Sequence, residues 1–293
     1  MINFEKTMIK QLKNILFINF VAMFLLASCS DNQKEVTDMQ NRKVKIEKHI
    51  DKVICLQPGI AEMFYKFSLE DKLVGRSYFC TFPEQIQALP EVGGVFSLDT
   101  NMIKDLNPDL VLASDILAWN HRRFLARNNI PYIIFKDNKK FEDIYAAITL
   151  FGQIFNEDEK AQKLITKTKE HLAKIDRTNK PMGKRSYYVV RFGNKNDMTV
   201  NENNLIGDLM KKAGLTNIAA KDEDMIYTWN DLKKQDPEYI FINEKNYDNF
   251  VISSPYRELS AVKNKKVFVI PSAYTNSLSL ENLKAIEEFQ KAK

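Results

Sequence analysis

Only three cysteines and three histidines occur among the 293 residues of this chain. None of the cysteines is spaced Cys-x-x-Cys, so a zinc ribbon and a small disulfide-stapled framework are both excluded. His49, His121 and His171 are far apart and form no His-Glu-x-x-His; each sits in a Lys/Arg-rich, helix-like setting and is expected in solvent. Glycine is sparse, at nine residues. No Gly-x-Ser-x-Gly and no P-loop is present, which removes the commonest hydrolase and nucleotide-hydrolysing signatures. No apolar run approaches the roughly 20 residues that cross a bilayer. Charge of neither sign dominates: 43 Lys and Arg face 38 Asp and Glu, for a net +5. Without a basic tract to grip phosphates, nucleic acid is not an expected partner.

The longest apolar stretch, Ile15–Leu26, is a largely apolar run of 12 residues behind Lys6, Lys10 and Lys13. That is the layout of a signal peptide. It ends in Leu26-Ala27-Ser28-Cys29, which resembles the bacterial lipobox, where the cysteine is acylated and the chain is cut just before it. Residues 1–28 are therefore expected to be removed, Cys29 to carry lipid, and 29–37 to form a polar tether. Removing residues 1–28 takes away three Lys and one Glu, leaving a net charge of about +3. The other cysteines, Cys55 in an apolar strand and Cys80 in a loop, are read either as a disulfide near strand ends or as two unpaired thiols.

What the chain does have is a phrase stated twice, 129 residues apart. Asn101–Ala113 and Asn230–Ile242 each read as a short helix, a stop and a buried strand. The stop is Pro108 or Pro237, which pushes Asn107 or Asp236 out of the right-handed α region. The unalternating apolar runs that follow fit strands covered on both faces of a parallel sheet. Two copies of one α/β unit predict two similar lobes with a cleft between them.

The remaining pattern fills these lobes. A hairpin is predicted over Asp38–Ile46, turning at Asn41, then strands at Val53–Leu56, Leu73–Gly75, Leu110–Ala113 and Ile130–Phe135, with a helix at Ala61–Phe67. Helical spacing runs from Phe141 to Phe151 and again to Asp176, where Pro181 closes it. Strands at Ser186–Arg191, Tyr239–Asn243 and Lys266–Ile270, a helix at Asn203–Ala213 closed by Gly214, and a last helix at Leu280–Lys293 follow. The expected fold is α/β: two Rossmann-like lobes with parallel sheets, 38–155 and 181–293, joined by one long backbone helix over 156–180. A single stiff helix predicts small lobe motions.

At this point the chain resembles the substrate-binding proteins of ABC importers that carry iron-siderophores, haem and cobalamin. The match is carried in order by Asp38 with Asn41-Arg42-Lys43-Val44, Val53–Pro58 with Ala61-Glu62, Leu73-Val74-Gly75, Val92-Gly93, Asn101–Leu112, Gly152, Leu205–Gly214, Asn217 and Trp229–Ile242. The resemblance implies a lipid-anchored, exported, monomeric receptor that is not an enzyme. It would hand a metal chelate from the inter-lobe cleft to a permease and its ATPase. A secreted two-lobed enzyme is the rival from another class, but no nucleotide-sugar site is found.

Ligands of open parallel sheets sit at the carboxyl ends of strands. The candidates there are Tyr78, Phe79, Phe82, Phe96, Trp119, Phe192, Tyr227, Trp229 and Tyr274, broad rings suited to a flat chelate, although such rings also pack loops onto cores. Arg191 would meet a carboxylate or phosphate of the ligand, or a cleft acid. The stretch Arg76–Pro83 resembles cobalamin-type members and tips the choice that way. Haem stays open, with Tyr78 as a possible axial ligand. The resemblance further implies that Glu62 and Asp208, one acid per lobe, dock the permease.

Overall fold

The computed structural model describes residues 32–292 except 137–139, 179–182 and 194–195. The expected signal peptide, residues 1–28, and Cys29 lie outside the described residues. Among the described residues, no helix is long and apolar enough to cross a membrane.

The chain opens with an antiparallel hairpin of β1 (Gln33–Thr37) and β2 (Lys43–Glu47), in which Val36 faces Val44. This corrects the expected tether, since 33–37 are already a strand. With Lys34 and Glu35 the segment reads as polar, yet Val36 is buried and Lys34 Nζ reaches the Gln153 carbonyl at 2.7 Å. The hairpin is stitched to the lobe by Asp38, whose carboxylate accepts from the backbone of Gln40, Arg42 and Ile134.

The first lobe is built from β3 (Val53–Cys55), α1 (Pro58–Phe67), β4 (Leu73–Arg76), a small hairpin of β5 (Gly93–Gly94) and β6 (Ser97–Leu98), α2 (Thr100–Leu106), β7 (Leu110–Ser114), α3 (Trp119–Arg127) and β8 (Tyr132–Phe135). Its sheet has the order β4-β3-β7-β8, all parallel. Then come α4 (Ile144–Phe155) and the long α5 (Asp158–Thr178), with Asn156 in a left-handed conformation between them. The second lobe contains β9 (Arg185–Val189), β10 (Asn196–Met198), α6 (Leu205–Lys212), β11 (Thr216–Asn217), β12 (Ile226–Thr228), α7 (Trp229–Gln235), β13 (Tyr239–Ile242), α8 (Tyr247–Ile252), α9 (Ser260–Lys263), β14 (Val267–Val269) and α10 (Asn282–Lys291). Its parallel sheet has the order β11-β9-β13-β14. Position by position this is the topology of the first sheet, so the twin lobes read from the sequence are present.

The repeated phrase folds the same way twice. Asp99 caps α2 by accepting from Asn101 N and Met102 N, and Thr228 caps α7 by accepting from Asp231 N. Each helix stops on a left-handed residue, Asn107 at φ 44 and Asp236 at φ 39, just before its proline. Each then delivers a fully buried strand, β7 or β13.

The lobes are not separate cores. One buried cluster runs from Val53 and Phe64 of the first lobe through Phe151 and Ile165 to Phe241 and Phe289 of the second. A continuous core of this kind packs the two lobes against each other. The segment after β14 also leaves its own lobe: Leu278 packs on the start of α1, where a Cβ added to Gly59 would lie 1.8 Å from the Leu278 carbonyl oxygen.

Candidate functional site

Two hollows open at the strand ends between the lobes. The first, about 330 Å³, is lined by Leu56, Gln57 and Pro58 at the end of β3, Phe79, Val95, Ser114 and Ile116 at the end of β7, and Asn276 with Ser277. The second, about 340 Å³, is lined from the other lobe by Val190, Met198, Thr199, Val200, Asn204, Leu205, Ile206 and Met225, together with Thr275, Asn276, Ser277 and Leu278. Asn276 and Ser277 belong to both. The strip after β14 therefore divides one cleft into two halves, each of a size to take a small molecule.

Among the described residues, none lining either hollow carries a charge. The polar groups on offer are amides and hydroxyls: Gln57, Asn204, Asn276, Ser114, Ser277, Thr199 and Thr275. Such a lining can donate to and accept from neutral amides. A pair of carboxylates placed there would lose their water without gaining a cation. Among the described residues, no group of three or more His, Cys, Asp or Glu is placed to hold a metal ion.

Of the ten side chains expected to bind ligand, the first lobe presents five as an exposed apolar rim. Tyr78, Phe79, Phe82, Phe96 and Trp119 are all more than a third exposed. Only Phe79 lines the larger hollows. Phe82 lines, with Phe79, a third cavity of about 30 Å³ beside Glu62. Tyr78 is tilted against Phe79, with ring centroids 4.3 Å apart, and lies over Gly94, where an added Cβ would meet its ring at 2.6 Å. It lines neither hollow, which leaves the axial-ligand idea without geometric support. Trp119 holds the Arg123 guanidinium 4.5 Å above its ring.

In the second lobe the expectation needs correction. Tyr227 is buried in that lobe's own core against Tyr187 at 5.5 Å, because β12 alternates with Ile226 and Thr228 outward and Tyr227 inward. Phe192 packs edge-on against Phe250 at 5.3 Å, and Trp229 edge-on against Tyr256 at 5.6 Å. Tyr274 is half-buried beneath the Lys284 ammonium at 5.5 Å. Arg191 is exposed, two residues past the end of β9, and bridges to Met198 through the backbone; it lines neither hollow. The loop that carries it is held by Asp197. That carboxylate accepts from Gly193 N at 3.3 Å and from the Tyr187 hydroxyl at 3.3 Å, and it also bonds the Tyr256 hydroxyl. Burial pushes the Asp197 carboxyl above its ordinary range, and the hydrogen bonds pull it partly back.

The two expected docking acids are also corrected. Glu62 is 2% exposed and Asp208 6% exposed, so neither is presented to a partner in this structure. Asp208 accepts from Phe141 N at 3.0 Å and has Lys140 at 3.5 Å. Glu62 is covered by the 279–281 segment, with Lys66 at 3.6 Å as its cation. Burial raises its carboxyl to about 7, with Glu281 adding to the rise and Lys66 opposing it. His121, expected in solvent, is buried and its ring nitrogen accepts from Leu98 N at 3.4 Å.

What sequence reasoning missed are the small polar and aliphatic wall residues, Ser114, Ile116, Asn204, Asn276 and Ser277. Ser114 and Ile116 stand at the end of β7, and Asn276 and Ser277 in the strip after β14. Their types carry no chemical signal, so only position could have found them.

Comparison with known proteins agrees with this architecture. An uncharacterized ABC transporter substrate-binding lipoprotein, YvrC, of Bacillus subtilis (strain 168) is 24% identical over 251 residues, covering 83% of this chain and 80% of its own. A vitamin B12-binding protein of Vibrio cholerae is 25% identical over 244 residues, covering 81% and 87% respectively. The haem-binding protein RhuT of Roseiflexus sp. RS-1 has a similar fold, with a TM-score of 0.73 at 16% identity over 83% of this chain and 99% of that one. The family model described as periplasmic binding protein matches residues 53–274. With a match of that extent across both lobes, the chain belongs to the periplasmic binding protein family, a family of binding proteins and not of enzymes.

Proposed function

We propose that this protein is the substrate-binding subunit of an ABC importer and that it captures a net-neutral, amide-bearing metal chelate of the corrinoid type. The observation that carries the reading is the uncharged, amide- and hydroxyl-bearing lining of both hollows. A corrinoid rim of amides can exchange hydrogen bonds with Gln57, Asn204 and Asn276, while its apolar ring edge rests on Phe79, Val95 and Ile116. A chelate wider than one hollow would span both, across Asn276. The B12-binding name of the Vibrio relative supports the same ligand class. The lipobox at Cys29 and the lipoprotein name of the Bacillus relative support an exported, lipid-anchored receptor that delivers to a permease and ATPase.

Haem is the second reading, favoured by the fold neighbours alone. Its propionates would find no cation among the described residues of either hollow. The deciding experiment titrates the protein with cyanocobalamin, haemin and a ferric siderophore while following tryptophan fluorescence. Saturation at one equivalent of cyanocobalamin, with weaker responses to the other two, is expected. Saturation by haemin alone would reverse the order of the readings, and turnover of any of the three would point to an enzyme.

A further inference from the structure

Cys55 ends β3, and Cys80 stands in the loop that follows β4. Both side chains are fully buried, and both are free thiols in the structure. Cys80 Sγ donates to the Cys55 carbonyl oxygen at 3.5 Å, Cys55 Sγ donates to the Gln57 carbonyl at 3.3 Å, and both side chains belong to one buried cluster. The backbone brings them together by a short ladder: Ser77 N donates to the Cys55 carbonyl at 3.0 Å, and Cys80 N donates to the Ser77 carbonyl at 2.9 Å. With Cys80 Sγ held against the backbone of Cys55 itself, turning the two side chains toward each other would form an S–S bond of about 2.05 Å.

The position of the pair gives the contact a consequence. Cys55 is followed directly by Leu56, Gln57 and Pro58, and Cys80 is preceded by Phe79; all four neighbours line the first hollow. The sulfurs thus lie behind two walls of one cavity. We propose that Cys55 and Cys80 are a covalent modification site, joined in the exported protein as a disulfide that braces the ligand cavity from behind. This inference rests on the thiol geometry and stands apart from the choice of ligand.

The chemistry is thiol–disulfide exchange with a disulfide donor, either a small-molecule disulfide or the disulfide of a thiol oxidoreductase. The Cys80 thiolate attacks one donor sulfur, forming a mixed disulfide and releasing one donor thiolate. The Cys55 thiolate then displaces the second. The two cysteine protons pass to the two donor thiolates, and the donor is reduced by two electrons as the protein disulfide forms. Since both sulfurs are buried, exchange belongs to the folding chain or to an opened loop. Once formed, the bond is shielded from reductant.

The test is non-reducing peptide mapping of the full chain refolded in oxidised glutathione, beside a sample held in dithiothreitol. A linked pair of peptides holding Cys55 and Cys80, lighter by two hydrogens than the separate thiols, is expected. The oxidised protein should also melt about 5 °C or more above the reduced one. Cys80→Ala should leave Cys55 fully alkylated and remove the response of melting to reductant. Should that variant not fold, Cys80→Ser serves the same comparison, and the wild-type map decides alone. Recovery of both cysteines as separate alkylated thiols, or as separate glutathione adducts, would overturn the proposal.

Discussion

The carbonyl oxygen of Leu278 fills the space that a methyl group on Gly59 would need, and so fixes a strip of the second lobe onto the first helix of the other lobe. The same strip supplies Asn276 and Ser277 to both hollows. Gly59→Ala is therefore expected to lift the strip and distort the cleft, at a cost of about 2 kcal/mol of stability. Urea unfolding of the variant measures the first effect and ligand titration the second. Unchanged stability and affinity would show that the strip is not held at this point.

The pH dependence of stability should carry the mark of Glu62. Its carboxyl is raised from 4.5 to about 7 by burial, with Glu281 adding and Lys66 opposing. Below 4.5 it is neutral both folded and unfolded. Between 4.5 and 7 the native state holds a proton that the unfolded chain has lost, so stability falls as pH rises, by about 3 kcal/mol in total, and is level above that window. Glu62→Gln should flatten this stretch and leave the protein more stable than wild type at pH 8. Parallel melting curves for the two proteins from pH 4.5 to 8 would contradict the assignment.

The cavity wall can be probed by charge and by area. Asn276→Asp adds an anion to an uncharged lining and should weaken cyanocobalamin binding tenfold or more. Phe79→Ala removes an exposed ring from the first hollow and should cost about 1 kcal/mol of binding. Tyr227→Phe, a change inside the second core, should leave affinity unaltered. If Tyr227→Phe reduced binding and Phe79→Ala did not, the ligand would lie elsewhere in the cleft.

Asp197 is expected to matter for the fold of the second lobe. Its carboxylate gathers Gly193 N and the hydroxyls of Tyr187 and Tyr256 in a buried setting. Tyr256→Phe leaves that carboxylate short of a donor and should lower stability by about 2 kcal/mol. A drop under 0.5 kcal/mol in a denaturant titration, on the order of a surface substitution, would show that Tyr187 and Gly193 suffice.

How far the sequence could be read depended on the range of the forces involved. The repeated phrase was legible because its signals are local: Asp99 and Thr228 cap, Asn107 and Asp236 stop before a proline, and the strand follows. The cleft segments were legible too, as strand ends. Which side chains face the cleft was not. Phe79 and Tyr227 look alike in sequence, and only the pleat of β12 sends Tyr227 inward. Glu62 and Asp208 look like surface helix acids, yet both are covered from far along the chain, by the 279–281 segment and by Lys140 and Phe141. The strand Gln33–Thr37 was hidden because a single buried Val36 carries its apolar face.

The most direct test of the central claim is calorimetric titration of the protein with cyanocobalamin at low and at high salt. A net-neutral ligand in an uncharged cavity should bind at one equivalent with an affinity that hardly moves with ionic strength. Absence of binding, or an affinity that falls steeply with added salt, would contradict the account.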